Sequence, residues 1–349
     1  MTKAVGARDA RGILEPLEIQ RRALGEEDVE IAIEYCGVCH SDIHFARGDW
    51  GNANWPVVPG HEILGKVVAV GANVSSFAPG DKVGVGTIVD NCQSCADCVE
   101  GADNYCSRAT GTYGAKDRVS GGFTFGGYST GIVITQRWVF PIDARIYGPA
   151  AAPLLCAGIT TFAPLSRANI KQGTKVGVVG LGGLGHMAVK FAKAMGATVV
   201  MITTSPSKGK DAQLLGADEV LLSTDGTQLH AHRSSFDFIL NTVPVEHSLD
   251  TYMLLLKRQG EMSIVGAIAP LDFHGGLLIH KNRKISGSCV GSIHDTREML
   301  EFCAQHNIVA DIEIIGVNQL NDANERVIKG DIKYRFVLDI STLCSPTRL

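Results

Sequence analysis

The chain has 349 residues, with 32 Lys+Arg against 36 Asp+Glu and a formal net charge of −4. That length suits about two domains with a sizeable core, and the charge balance argues against a nucleic-acid binder, which would carry a basic excess. Apolar residues make up 45% and charged residues 19%, which excludes global disorder.

Glycine is abundant at 40 residues, with no collagen period, so the glycines are expected at tight turns and close backbone approaches. No run of about 18 uninterrupted apolar residues is present, so neither a transmembrane helix nor a membrane partner is expected. The start, MTKAVGARDARG, has no apolar segment of the secretory kind. A cytoplasmic location follows as an expectation. Ten cysteines stand at 36, 39, 92, 95, 98, 106, 156, 289, 303 and 344. In such a chain they point away from disulfides, and the tight cluster from 92 to 106 reads as metal binding.

In chain order, the first third reads as β-rich. Val29–Tyr35 and Lys66–Val70 are short apolar or alternating runs, and Pro59-Gly60, Pro79-Gly80 and Gly121-Gly122 supply turns. A small barrel fits this pattern better than a helical bundle. Cys92-x2-Cys95-x2-Cys98-x7-Cys106 brings four thiolates within fifteen residues. Four cysteines with no open position describe a closed, tetrahedral structural zinc site. Four independently buried cysteines would require a coincidence of spacing, and no basic helix follows to make a nucleic-acid-binding zinc finger.

The pattern changes after about residue 156. Lys175–Gly180 is a buried-strand run. Leu184, Met187, Ala188, Phe191, Ala194 and Met195 then recur at helical spacing until Gly196. Strands are expected at Thr198–Ile202, Glu219–Leu222, Phe236–Leu240, Met262–Val265 and Lys284–Ser288, with helices between several of them. Alternating strands and helices predict a doubly wound parallel sheet, an α/β fold. A helix over Thr296–His306 and short strands close the chain.

Gly180-Leu181-Gly182-Gly183-Leu184-Gly185 follows a strand and opens an amphipathic helix, the context a dinucleotide turn requires. Gly180 makes the turn, Gly182 lets the backbone approach a pyrophosphate, and Gly185 lets the helix pack closely on the strand. The helix N-terminus favours the phosphates. NAD binders usually place a carboxylate about 20 residues on. This chain has Thr203-Thr204-Ser205-Pro206-Ser207-Lys208, and its first acid, Asp211, falls in the next helix. Hydroxyls and a lysine suit a 2′-phosphate, so NADP(H) is the expected cofactor. A solvated polar loop without selectivity is the plainer alternative.

A second metal site can be assembled only from distant residues. Its candidates are Cys39, His61 and Cys156, a Cys2His set with one position left open. Cys36 reads as a buried strand cysteine. Cys289, Cys303 and Cys344 read as ordinary core or surface cysteines. His40 reads as a phosphate neighbour or surface residue, and His186 as a packing residue or more. Phe45, Trp50 and Trp55 either line a substrate pocket or pack the loop between ligands.

The full set of motifs resembles the zinc-dependent medium-chain dehydrogenases, in particular their cinnamyl alcohol dehydrogenase branch. It is carried by CGVCHSDIH (36–44), DWG (49–51), VPGHEILG (58–65), GDKVGVG (80–86), the four-cysteine lobe, GGYST (126–130), AAPLLCAGIT (151–160), KVGVVGLGGLGHMAVKFAKAMGA (175–197), FCAQHNI (302–308) and YRFVLDI (334–340). The resemblance covers essentially the whole chain. It implies a GroES-like barrel over 1–156 with 292–349 and a Rossmann domain over 157–291. It implies two zinc ions per chain, the catalytic one on Cys39, His61 and Cys156. Glu62 would be a carboxylate able to exchange onto zinc, Asp42 the partner that orients a histidine ligand, and Ser41 with His44 a proton relay. Cofactor contacts would fall on Thr160, Gly180–Gly185, Thr203, Thr204, Ser205, Lys208, Thr242, Gly266, Ser288, Cys289 and Val290. Asn241 departs from the Asp common before that threonine. The implied activity is aldehyde reduction with NADPH, and alcohol oxidation in reverse, as a homodimer paired near Ile285–Val290. Two alternatives are a metal-free quinone reductase of the same superfamily and a zinc-stabilised NADPH-binding protein without alcohol chemistry. The intact Cys39–His61–Cys156 set and the Ser41–His44 pair argue against both.

Overall fold

The computed structural model describes residues 1–51, 53–266 and 270–343, so Cys344 lies outside the described residues. Contacts divide the chain into two units, Met1–Cys156 with Ser292–Leu349, and Ala157–Gly291.

The first unit opens with a hairpin the sequence reading did not anticipate, Thr2–Ala7 (β1) and Leu14–Ile19 (β2). Asp28–Val38 (β3) is long and central. It runs into a helix, His40–Arg47 (α1), which also went unread because its eight residues carry little apolar periodicity. Ile63–Val70 (β4), Lys82–Val85 (β5), Ile88–Asp90 (β6), Ala96–Val99 (α2), Thr110–Gly111 (β7), Gly131–Thr135 (β8) and Phe140–Pro141 (β9) follow.

The second unit begins with Ala157–Arg167 (α3). It then alternates Lys175–Val179 (β10), Gly185–Ala194 (α4), Thr198–Thr203 (β11), Pro206–Leu214 (α5), Glu219–Leu222 (β12), Gly226–Ala231 (α6), Phe236–Asn241 (β13), Asp250–Leu255 (α7), Leu256–Ile264 (β14), Gly276–Lys281 (α8) and Lys284–Gly287 (β15). The chain returns to the first unit with Ile293–His306 (α9), Ile312–Ile315 (β16), Leu320–Lys329 (α10) and Arg335–Asp339 (β17). The start of α9 is set by Ser292, whose hydroxyl accepts from the Asp295 amide while Asp295 accepts from the Ser292 amide.

In the first unit the sheet order is β16-β17-β3-β4-β5-β9, with β8 also paired to β3. All these pairs are antiparallel except β16 with β17. In the second, six strands pair in parallel in the order β12-β11-β10-β13-β14-β15. The strands of such a sheet are covered on both faces, which explains runs such as KVGVV with no polar alternation. Val200, Ile202, Phe236, Ile239, Met253 and Met262 form its core. β14 starts earlier than the expected 262–265 stretch, directly after α7, because Leu256 is buried and pairs with Phe236. The order reverses direction at β10, between β11 and β13, where open α/β sheets form a ligand crevice. Among the described residues no single helix is long and apolar enough to cross a membrane.

Phe236 is fully buried in this core. Phe236→Ala is expected to cost about 3–5 kcal/mol, read as a lower melting temperature of the purified protein. An unchanged melting temperature would contradict its central place.

Candidate functional site

The first unit gathers a compact donor set. Cys39 follows β3 and caps α1, His61 and Glu62 precede β4, and Cys156 ends the turn of 3-10 helix Pro149–Leu155. One ligand atom from each of Cys39, His61, Glu62 and Cys156 lies within 4.8 Å of the others. The Cys39 and Cys156 sulfurs are 4.0 Å apart. Two thiolates on one tetrahedral zinc, at about 2.3 Å each, stand about 3.8 Å apart, so the spacing fits. The His61 Nδ1 lies 3.3 Å from Asp42 Oδ1, while its Nε2 is buried without a hydrogen-bond partner. A buried imidazole whose other nitrogen is held by a carboxylate is a prepared metal ligand.

Asp42 is 2% exposed. It also accepts from the Cys39 amide (2.8 Å), the Gly60 amide (3.1 Å) and the Tyr128 hydroxyl (3.1 Å). Contact with Cys156 pulls the Cys39 thiol well below its ordinary value, and Arg335 and His61 add to that pull. Glu62 is fully buried and paired with the Arg335 guanidinium, with Oε2 left unpartnered. Burial raises its carboxyl above the usual range, against the pull of Arg335. A Cβ on Gly37 would overlap this carboxylate, so only glycine fits there.

Around this set, the Ser41 hydroxyl lies 3.1 Å from the Cys39 sulfur. His44 Nδ1 meets Asp49 Oδ2 at 2.7 Å, and its ring stacks on His40 and Trp50. Tyr113 stacks on His61 at 5.6 Å between centroids and meets Phe45 edge-on. Phe45 is buried with Val57 and Tyr113, whereas Trp50 and Trp55 remain partly exposed. Sequence reading missed Arg335, Asp49, Tyr113 and Tyr128. A charge inside the apolar strand RFVLD was the available signal for Arg335.

The four-cysteine lobe is equally well formed. Its sulfurs stand 3.5–3.9 Å apart along Cys92–Cys98, Cys95–Cys98, Cys95–Cys106 and Cys106–Cys92. Amides of Cys95 and Arg108 donate to Cys92 and Cys106. Such donors stabilise thiolates, and four at this spacing enclose a tetrahedral ion with no open position. Asp103, within the lobe, is tied to Asn91 and Arg137. Cys36 and Cys303 are buried, and Cys289 is exposed.

In the second unit, Gly180 to Leu184 make the turn between β10 and α4. Gly180 has φ +88°, and a Cβ on Gly185 would overlap the Gly180 carbonyl. Leu181 is buried, while Gly182 has open space around its Cα and Gly183 is half-buried. His186 is fully buried, with Nδ1 3.2 Å from the Gly182 carbonyl. The Thr242 hydroxyl donates to the Val179 and Gly180 carbonyls, and Gly266 packs against the Thr242 backbone. Thr203 ends β11 and accepts from the Ser205 amide. Thr204 follows it, and Ser205 caps α5, which carries Lys208. Thr160 is nearly buried in α3. Ser288 accepts from Arg167, and Cys289 and Val290 follow it just past β15.

Residues 25–144 match the family described as alcohol dehydrogenase GroES-like domain, and residues 183–305 match zinc-binding dehydrogenase. An Escherichia coli protein named aldehyde reductase YahK is 54% identical over 98% of this chain and 99% of its own length. A cinnamyl alcohol dehydrogenase structure from Sorghum bicolor superposes with a TM-score of 0.95 at 42% identity, covering 97% of this chain and 98% of that one. A Helicobacter pylori structure titled as a CAD complexed with NADP(H) gives a TM-score of 0.91 at 37% identity, with the same coverage.

Arg335→Met would leave Glu62 buried without its counter-charge, at a cost of about 3–5 kcal/mol. Adding Glu62→Leu should recover a large part of the lost melting temperature. Strictly additive losses in this double-mutant cycle would contradict the buried pair.

Proposed function

The chain belongs to the zinc-binding dehydrogenases with an alcohol dehydrogenase GroES-like domain, an oxidoreductase of aldehydes and alcohols that uses zinc and NADP(H), and we propose which of its residues carry that chemistry. The observation that supports the assignment best is the unpartnered, buried Nε2 of His61 beside the Cys39 and Cys156 sulfurs.

Cys39, His61 and Cys156 hold the catalytic zinc, and Cys92, Cys95, Cys98 and Cys106 hold the structural one. Zinc bound at the first site supplies Lewis acidity toward a substrate oxygen, and NADPH supplies the hydride. Asp42 keeps the proton of His61 on Nδ1, so that Nε2 presents its lone pair. Glu62, with Oε2 unpartnered, is the alternative carboxylate donor at that site. Ser41 holds a hydroxyl beside the ligand Cys39 and passes a proton toward His44, whose Nδ1 is anchored on Asp49. In reduction the proton moves toward the product oxygen; in oxidation it moves out to solvent.

The unit 157–291 takes the cofactor, its pyrophosphate on the turn Gly180–Gly185 and its 2′-phosphate among Thr203, Thr204, Ser205 and Lys208. No carboxylate stands on that loop to repel it. The unit 1–156 with 292–349 takes a small aldehyde or primary alcohol, with aromatic and allylic substrates favoured by Phe45, Trp50 and Tyr113. The edge strand β15 is the proposed homodimer contact, since its free side offers unpaired backbone groups. Cysteines gathered in two metal clusters rather than in disulfides are in keeping with a reducing compartment, which supports a cytoplasmic location.

Initial rates of cinnamaldehyde reduction at equal NADPH and NADH test the cofactor assignment. A large NADPH advantage is expected; equal rates would overturn the phosphate pocket at 203–208. Cys156→Ala should lose one of the two zinc ions and all turnover while still folding. Cys95→Ala should instead unfold or aggregate. A zinc content unchanged in Cys156→Ala would sink the ligand assignment.

A further inference from the structure

We propose that Asn241 and His247 form a latch that holds the loop after β13 against the dinucleotide turn and so preforms one wall of the NADPH crevice. The proposal rests on the placement of the cofactor at Gly180–Gly185. β13 lies beside β10, and its last residue is Asn241. From there Thr242 bonds the carbonyls of Val179 and Gly180. The next side chain, Val243, lies over Gly180, its Cγ2 3.1 Å from where a Cβ would stand. The loop therefore touches the first glycine of the turn directly. Residues Val243–His247 belong to neither helix nor strand, so side-chain bonds must fix their path.

Those bonds admit one arrangement. Asn241 is fully buried. The Val243 amide donates to its Oδ1 at 3.1 Å, which identifies the oxygen end of the side-chain amide. The other end, Nδ2, lies 2.8 Å from His247 Nε2. An NH2 group only donates, so Nε2 accepts and carries no proton. His247 Nδ1 lies 2.7 Å from the Val245 carbonyl. A carbonyl only accepts, so Nδ1 carries the proton. The imidazole is thus neutral and in a single tautomer, and both nitrogens are spent within the loop. Tyr252 of α7 meets the ring edge-on at 6.0 Å between centroids. A carboxylate at position 241 would present only acceptors and could bond this ring only through a protonated Nε2. The asparagine at 241 is therefore the residue that sets a neutral latch.

The test is NADPH affinity by fluorescence titration of the purified zinc-loaded protein. His247→Leu should raise the Kd about tenfold with little change in melting temperature, because His247 is half-buried at a loop. His247→Gln keeps an acceptor within reach of Asn241 and should return the Kd to within about threefold of the parent, since most of one hydrogen bond is restored. A parental Kd in His247→Leu would overturn the latch, as would a His247→Gln as weak as His247→Leu. A second measurement needs no variant: 15N NMR of histidine-labelled protein at pH 8 should show His247 protonated on Nδ1 and bare on Nε2. The opposite tautomer would overturn the proposal. Gly182→Asp serves as the control for the cofactor's place, since its Cα has open space but the added charge faces the pyrophosphate. Undiminished NADPH binding in that control would remove the placement on which the latch depends.

Discussion

The buried carboxylate of Asp42 is the constraint on which the metal site depends. A lone charge at 2% exposure would be costly to bury. It is stabilised because four donors from three segments converge on it: the Cys39 amide, the Gly60 amide, the Tyr128 hydroxyl and His61 Nδ1. The same bonds tie the start of α1 to the turn before β4 and to the segment that leads into β8. Satisfying one carboxylate thus brings two of the proposed ligands, Cys39 and His61, to one place. It also fixes the histidine nitrogen that is left to bind.

A second buried charge closes the set from the far end of the sequence. Arg335 in β17 pairs with Glu62, and β17 pairs with β3, the strand that delivers Cys39. The C-terminal return of the chain therefore contributes to the site as well as to the sheet. Neither Glu62 nor Arg335 would tolerate this depth alone, and the glycine at 37 makes the room for the Glu62 side chain.

In the second unit the organising element is backbone rather than charge. Gly180 and Gly185 allow the turn and the helix to approach so closely that a single methyl group would not fit. Thr242 then ties the neighbouring strand to the same turn. A crevice arises at β10 because consecutive strands leave it in opposite directions. The loop after the neighbouring strand β11 carries the hydroxyls of Thr203, Thr204 and Ser205, and α5 carries Lys208.

Local pattern was enough for much of this. The four-cysteine lobe is legible because its cysteines lie within fifteen residues, and the glycine-rich turn because glycine spacing, strand run and helical period agree over one continuous stretch. The alternating strands and helices after residue 156 disclose the parallel sheet for the same reason. Cys39, His61 and Cys156 had to come from resemblance, since nothing in their spacing places them together. Tertiary structure alone decided the partners: Arg335 on Glu62, Asp49 on His44, Tyr113 over His61, and His247 on Asn241. These contacts join residues through space or hang on a side-chain rotamer and a proton, and neither leaves a period or a spacing in the chain. Sequence by itself determined the four-cysteine cluster and the strand–turn–helix alternation after residue 156, because hydrophobic period and glycine spacing are local properties, while β1, β2 and α1 left no such pattern. Only the folded structure decided which buried charges meet, because that choice is made by desolvation, which no residue experiences until the others have closed around it.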